Sequence, residues 1–259
     1  MAQKRSPLKD RPLRNPGQSL DEAMQTLIDE RALAPFVAVV ALWVVAAVEW
    51  IAYWRAMPRQ PWLFTALATM ASVWFGWRAI RARKAVSQLP LGRDGERVVG
   101  QFLDGLRMHG ARIFHDIPAD GFNLDHVVIS TRGIFAVETK TLTKPGSGAK
   151  VVFDGESVLV AGRDLDRDPV NQAVAQADWL QKLLKSSTGK LLPVRGVVVF
   201  PGWWVERTHR ERRADVWVLE PKALPAFIEN EPEAMAPDDV SLAAFHLSRY
   251  IRSQSGLAE

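Results

Sequence analysis

Residues 32–54 read ALAPFVAVVALWVVAAVEWIAYW, a run in which Glu49 is the one charge. A helix of that length, rising about 1.5 Å per residue, covers the roughly 30 Å hydrocarbon thickness of a bilayer. After a short polar link at 55–60, residues 61–77 (PWLFTALATMASVWFGW) form a second uncharged run near the minimum spanning length. Neither run has a polar face at helical period, and a helix apolar all round needs lipid or a thick protein shell. The expectation is a transmembrane hairpin over 32–84, with spans at about 34–54 and 61–77.

The flanks agree with that expectation. Trp50, Tyr53, Trp54 and Trp62 cluster at the link, and Trp74 and Trp77 mark the far end of the second run, as an aromatic belt would. Lys4, Arg5, Lys9, Arg11, Arg14 and Arg31 precede the hairpin and Arg78, Arg81, Arg83 and Lys84 follow it, against Arg55 and Arg59 between. The positive-inside rule then puts both ends on the cytoplasmic side of an inner membrane. Residues 1–31 read as a cytosolic segment. Its first 18 residues are expected to be disordered or to lie on anionic lipid, and Ser19-Leu20-Asp21-Glu22, in capping-box form, is expected to open a short amphipathic helix over 23–32.

Charge divides the chain unevenly. Residues 1–90 hold 12 Lys/Arg against 6 Asp/Glu, leaving 21 against 23 in 91–259, so the C-terminal part is no strongly basic nucleic-acid-binding fold and any such contact must be local. Cysteine is absent, which excludes disulfides, thiolate metal sites and thiol nucleophiles. A metal here would sit on oxygen or imidazole.

In residues 85–259 the expected order is helix (93–109, ended by Gly110), a three-strand meander (112–117, 124–130, 133–139), a hairpin (151–153, 157–160), a helix opened by Asp168-Pro169, strands at 194–200 and 215–219, and a closing helix to about Arg252. The second and third strands are apolar except near one end, where Asp125 opens DHVVIS and Glu138 and Lys140 close GIFAVETK. A symmetric turn at Ser130-Thr131-Arg132-Gly133 pairs residues that sum to 263, setting Asp125 opposite Glu138 with Cβ atoms about 4.5–5.5 Å apart. Alternation puts Lys140 on the same face. Paired carboxylates suit Mg²⁺ or Mn²⁺, and a lysine beside them can offset charge on a reacting phosphate. From these three residues alone, a structural salt bridge is an equal alternative. His126 should face away from Asp125 into the core.

GRDGERVV, NLDHVVIS, GIFAVETK and DPVNQAVAQADWL stand in that order between Gly92 and Phe200, and together they resemble the nuclease-related domain, NERD, of the PD-(D/E)XK nuclease-like superfamily. Leu124 stands where the superfamily often has proline. The resemblance implies an α/β fold with a restriction-endonuclease-like αβββαβ core and a mixed central sheet. It implies that Glu96, Asp125 and Glu138 are metal ligands, that Lys140 is the catalytic lysine and that Gln172 supports it. The expected function is a membrane-anchored, Mg²⁺- or Mn²⁺-dependent nuclease acting on nucleic acid, with DNA as the expected substrate; the alternatives are a tethered nucleic-acid-binding module without catalysis and an interaction scaffold at the lipid bilayer. Trp203 and Trp204, with Arg207, His209, Arg210, Arg212 and Arg213, form a basic, aromatic loop that suits nucleic-acid contact or a solvated loop resting on packed tryptophans.

Overall fold

The computed structural model describes residues 13–29, 33–55, 60–207 and 215–254. They divide into two compact units, one spanning Ser19–Pro90 and the other joining Met1–Gln18 to Leu91–Glu259.

In the first unit, α2 (Ala34–Trp54) and the opening of α3 (Pro61–Asp104) follow α1 (Gln18–Ile28). Ala34–Trp54 and Pro61–Arg81 are long and apolar enough to cross a membrane, and 6% of each is buried, unlike the core helices of a soluble protein. Trp43 donates its indole N–H to Ser72 Oγ (3.1 Å) and Trp50 to Thr65 Oγ1 (3.0 Å). Both pairs sum to 115, so the helices run antiparallel. Ala46 and Ala68 are fully buried, small side chains that let the backbones approach. The hydroxyls of Thr65, Thr69 and Ser72 each donate to the carbonyl four residues back, which satisfies these three donors on an apolar surface. Trp50 packs edge-on against Trp62 and Tyr53, the cluster expected at the link.

Two helix boundaries differ from expectation. Gly17, with a left-handed φ of +72°, lies outside the helix and the Gln18 carboxamide oxygen accepts the Asn15 N–H at 3.1 Å, so α1 begins at Gln18 and Ser19 lies within it rather than capping it. The helix expected to begin at about residue 93 is instead continuous with the second membrane-length run, and Pro90, a residue that usually stops a helix, lies inside α3. Proline forfeits one helical hydrogen bond, but Val99 and Leu103 further along α3 are anchored in the core, and packing of that kind overrides local propensity. After Asp104 a 3-10 turn, Gly105–His109, closes at left-handed Gly110.

The second unit is built on a mixed five-stranded sheet in the order β1-β2-β3-β6-β8. Its strands are β1 (Arg112–Ala119), β2 (Phe122–Ser130), β3 (Gly133–Thr139), β6 (Val194–Val199) and β8 (Trp217–Leu219). β1, β2 and β3 are antiparallel, while β3-β6 and β6-β8 are parallel. A smaller sheet, β5-β4-β7, uses β4 (Lys150–Phe153), β5 (Val158–Val160) and β7 (Trp204–Arg207). β7 and the short helix α5 (Leu224–Asn230) were not anticipated.

Alternation along the strands sends apolar side chains to both faces. Val127, Ile129 and Ala136 pack under α4 (Pro169–Thr188) and α6 (Pro237–Gln254), against Leu180, Leu184, Leu247 and Ile251. Val128, Phe135 and Val137 take the other face, under Val99, Leu103 and Leu106. Covered on both sides, the sheet has the near-continuous apolar strands that such burial requires.

Asp168 caps α4 as the sequence indicates, its Oδ1 accepting from Val170 N (2.8 Å) and Asn171 N (3.4 Å), with Pro169 as the first helical residue. Asp168→Ala should cost about 1 kcal/mol in urea unfolding, because two helix-end donors lose their acceptor; an unchanged midpoint would show the cap is redundant.

Candidate active site

The turn joining β2 to β3 sets the geometry. The pairs Ser130↔Gly133, Val127↔Ala136 and His126↔Val137 all sum to 263, the register expected of a symmetric turn. Asp125 and Glu138 occupy the next position beyond the last paired rung. There the Asp125 Oδ2 accepts the Thr139 backbone N–H at 2.7 Å, and its Oδ1 receives no hydrogen bond from any described residue.

Glu138 is buried and densely held. Its Oε1 takes Lys140 Nζ at 2.6 Å and Gln172 Nε2 at 2.8 Å, and its Oε2 takes Gln176 Nε2 at 2.6 Å. Lys140 Nζ also donates to Gln172 Oε1 at 2.8 Å. Gln172 and Gln176 reach the same carboxylate because they are one helical turn apart on α4. Gln176 was not anticipated; its spacing from Gln172 was the available signal. The Lys140–Glu138 ion pair is the salt bridge that the three residues alone allowed.

Glu96, on α3, is nearly buried and its pKa is pushed up to about 7, first by burial, then by the charges of Asp116 and Glu138. Burial, with Glu138 and Glu96 nearby, holds the Asp125 carboxyl well above the usual range. The helix carrying Glu96 comes this close because residue 95 is glycine: a Cβ there would lie 1.7 Å from Thr141 Oγ1, just past Lys140.

Asp116 joins this group without having been singled out in the sequence. It sits between the pairs His115↔His126 and Ile117↔Leu124, at the β1 position facing Asp125, but its φ of +50° breaks the ladder there. Aspartate tolerates this left-handed conformation better than most residues. His126 does face away from the acids, fully buried, with Nδ1 2.9 Å from His115 Nδ1. Burial lowers the pKa of both, His115 to about 4, so the pair is neutral near pH 7.

Five expected residues therefore converge, with Glu138, Lys140 and Gln172 in direct contact and Glu96 near enough to Asp125 to raise its proton affinity. In the aromatic loop, Trp203 alone is corrected, to the packed alternative. Trp203 is 3% exposed, its N–H bound to the Leu142 carbonyl and Lys144 over its ring, so it is packed underneath. Trp204 is 65% exposed and Arg207 ends β7, while His209, Arg210, Arg212 and Arg213 lie outside the described residues.

Residues 91–201 match the family model of the nuclease-related domain, NERD. The matched NERD region holds Glu96, Asp116, Asp125, Glu138, Lys140, Gln172 and Gln176, and ends before β7. Comparison with curated proteins and with solved structures yields no match.

Among the described residues, no three His, Asp or Glu side chains are grouped so as to hold a metal ion. The donor chemistry nevertheless suits a hard divalent cation. Asp125 Oδ1 is uncommitted, Glu138 Oε2 keeps one lone pair beyond the Gln176 bond, and the acids repel one another in a desolvated place where a cation would relieve them.

That repulsion predicts a stability signature. A folded-state pKa raised from 4.5 to about 7 makes the Glu96 contribution complete below 4.5 and lost as pH rises through 7. At pH 8 without divalent ions, Glu96→Gln should be more stable than the unsubstituted protein by about 1–3 kcal/mol in denaturant unfolding. Equal or lower stability would mean Glu96 is not crowded by its acidic neighbours.

Proposed function

We propose that this protein is a membrane-anchored, Mg²⁺- or Mn²⁺-dependent nuclease that hydrolyses phosphodiester bonds, with DNA as substrate, on a restriction-endonuclease-like αβββαβ core. The observation that carries the reading is the meeting of Asp125, Glu138 and Lys140 at one end of β2-β3, inside the region that matches NERD. Asp125 and Glu138, with Glu96 beside them, would hold the ion. When bound, the ion supplies Lewis acidity toward a water and the scissile phosphate. Lys140 offers an ammonium to the negative charge that develops on the phosphate oxygens. Gln172 fixes both Lys140 and Glu138, and Gln176 fixes the far oxygen of Glu138, so neither charged group spends rotamer freedom on reaching its place. Glu96, with a pKa of about 7, can take or release a proton near neutral pH.

Anchoring rests on the two membrane-length helices. The contact between Arg14, ahead of both, and Asp116, after both, supports a hairpin that crosses twice, because it needs its two flanks on one side. The cytoplasmic side follows from the basic flanks.

A nucleic-acid-binding module without catalysis is the second reading, favoured by the Lys140–Glu138 ion pair and by the absence of a three-carboxylate group among the described residues. The full chain in detergent or nanodiscs, incubated with plasmid, linear duplex, single strands and RNA, separates the two. Cleavage should require Mg²⁺ or Mn²⁺ and fall about 100-fold or more in Lys140→Ala. Binding without cleavage under either metal would establish the module instead.

A further inference from the structure

Residues 13–17 come before both membrane-length helices, yet they pack on the unit that follows them. Arg14 Nε donates to Asp116 Oδ2 at 2.7 Å, and Asn123 Nδ2 donates to Asp116 Oδ1 at 3.2 Å. Asp116 is 1% exposed. Pro16 lies where a Cβ on Gly100 would come within 2.8 Å of its Cγ, and a Cβ on Gly17 would come within 2.9 Å of Arg93 Cγ. Gly17 also has φ +72°, which a side chain would strain. Two glycines, one on each partner, thus mark a close approach between this segment and the stretch of α3 that carries Glu96.

Two polar contacts of the segment, from Arg14 and from Gly17, end on the acidic group. The Gly17 backbone amide hydrogen-bonds the Glu96 carboxylate and so helps to fix where it sits. A buried carboxylate such as Asp116 is costly unless paired, and without a partner it would compete for Lys140 or for any bound cation. With Arg14 on one oxygen and Asn123 on the other, it is held out of that competition.

We infer that residues 13–17 are a strap, with Arg14 and Gly17 as positioning residues that hold Asp116 and Glu96 so that Asp125 and Glu138 are left to take a divalent ion. This deepens the nuclease reading and rests on it. It also means that the site is incomplete without chain from before the membrane-length helices, so a fragment beginning after them would lack part of its own metal site. Arg14 suits the place because a guanidinium keeps its charge at every relevant pH and donates in a fixed plane, and lysine at the same position would restore the charge without the geometry.

The test is Mn²⁺ binding to the full chain in nanodiscs, followed by calorimetry and by the electron paramagnetic resonance signal of free Mn²⁺, neither of which depends on cleavage. Arg14→Gln should weaken binding about tenfold or more, the scale for losing a partner behind a metal ligand. Gly17→Ala should do the same, and Arg14→Lys should recover part of the loss. Asn15→Ala, on the exposed side of the strap, should bind like the unsubstituted protein. In an Asp116→Asn background, Arg14→Gln should change affinity less than about threefold, because no charge remains to balance. Tight binding that Arg14→Gln leaves unchanged overturns the strap and spares the nuclease reading. Absence of Mn²⁺ binding in the unsubstituted chain overturns both, and equal losses from Arg14→Gln with or without the Asp116 charge overturn the assigned route.

Discussion

The register of the β2–β3 ladder is the constraint on which the rest of the site depends. Strand side chains alternate, so a slip of one residue would carry Asp125 to the face of His126 and put Glu138 opposite a different partner. Ser130 and Gly133 pin the register at the turn, where Ser130 Oγ accepts the Arg132 N–H and donates to the Gly133 carbonyl. From there the ladder runs to His126↔Val137 and stops, because Asp125 takes the Thr139 N–H with its side chain. The parallel neighbour continues the alignment, with Lys140 N bonded to the Val199 carbonyl at 2.9 Å. Lys140 is therefore placed by β6 as well as by its own strand, and an error in either pairing would move it.

A register alone would bring acids together without fixing their side chains. Three donors hold the Glu138 carboxylate in place, and two of these are uncharged carboxamides from α4. The cap at Asp168 fixes where α4 begins, and hence which residues, four apart, face the sheet. Helix capping, helical spacing and strand alternation thus converge on one side chain. The repulsion left among Glu96, Asp116 and Asp125 is a cost in folding free energy that an apolar arrangement would not carry, and such strain is expected where function rather than stability selects the residues.

Much of this was legible before any coordinates. The meander, its turn, the Asp168-Pro169 start and the membrane-length runs each rest on local chemistry or on short-range periodicity, which a sequence displays directly. What was not legible depends on contacts between distant residues. Asp116 reads as one more polar residue in HDIPADG until the β1–β2 pairing puts it opposite Asp125. Arg14 reads as part of a basic tail. Pro90 reads as a stop, since nothing nearby tells that the turns beyond it are anchored by Val99 and Leu103. Trp203 and Trp204 are adjacent and alike in sequence, yet Trp203, just before β7, is buried with its N–H on the Leu142 carbonyl, while Trp204, the first residue of β7, is exposed. Gln176 is the intermediate case, visible at the right spacing but with no reason to be preferred over other polar residues on α4.

Charge balance gives the acidic group its physical sense. Glu96, Asp116, Asp125 and Glu138 together carry four negative charges when ionised, and Arg14 and Lys140 return two positive ones. Burial first, and then the neighbouring acidic charges, raise the proton affinity of Glu96 and Asp125. At Asp125 a proton and a divalent ion would compete for one carboxylate, and that competition depends on the acids around it as well as on Asp125 itself. A strap that supplies one of the two cations from ahead of the membrane-length helices therefore shifts the balance for every acid in the group.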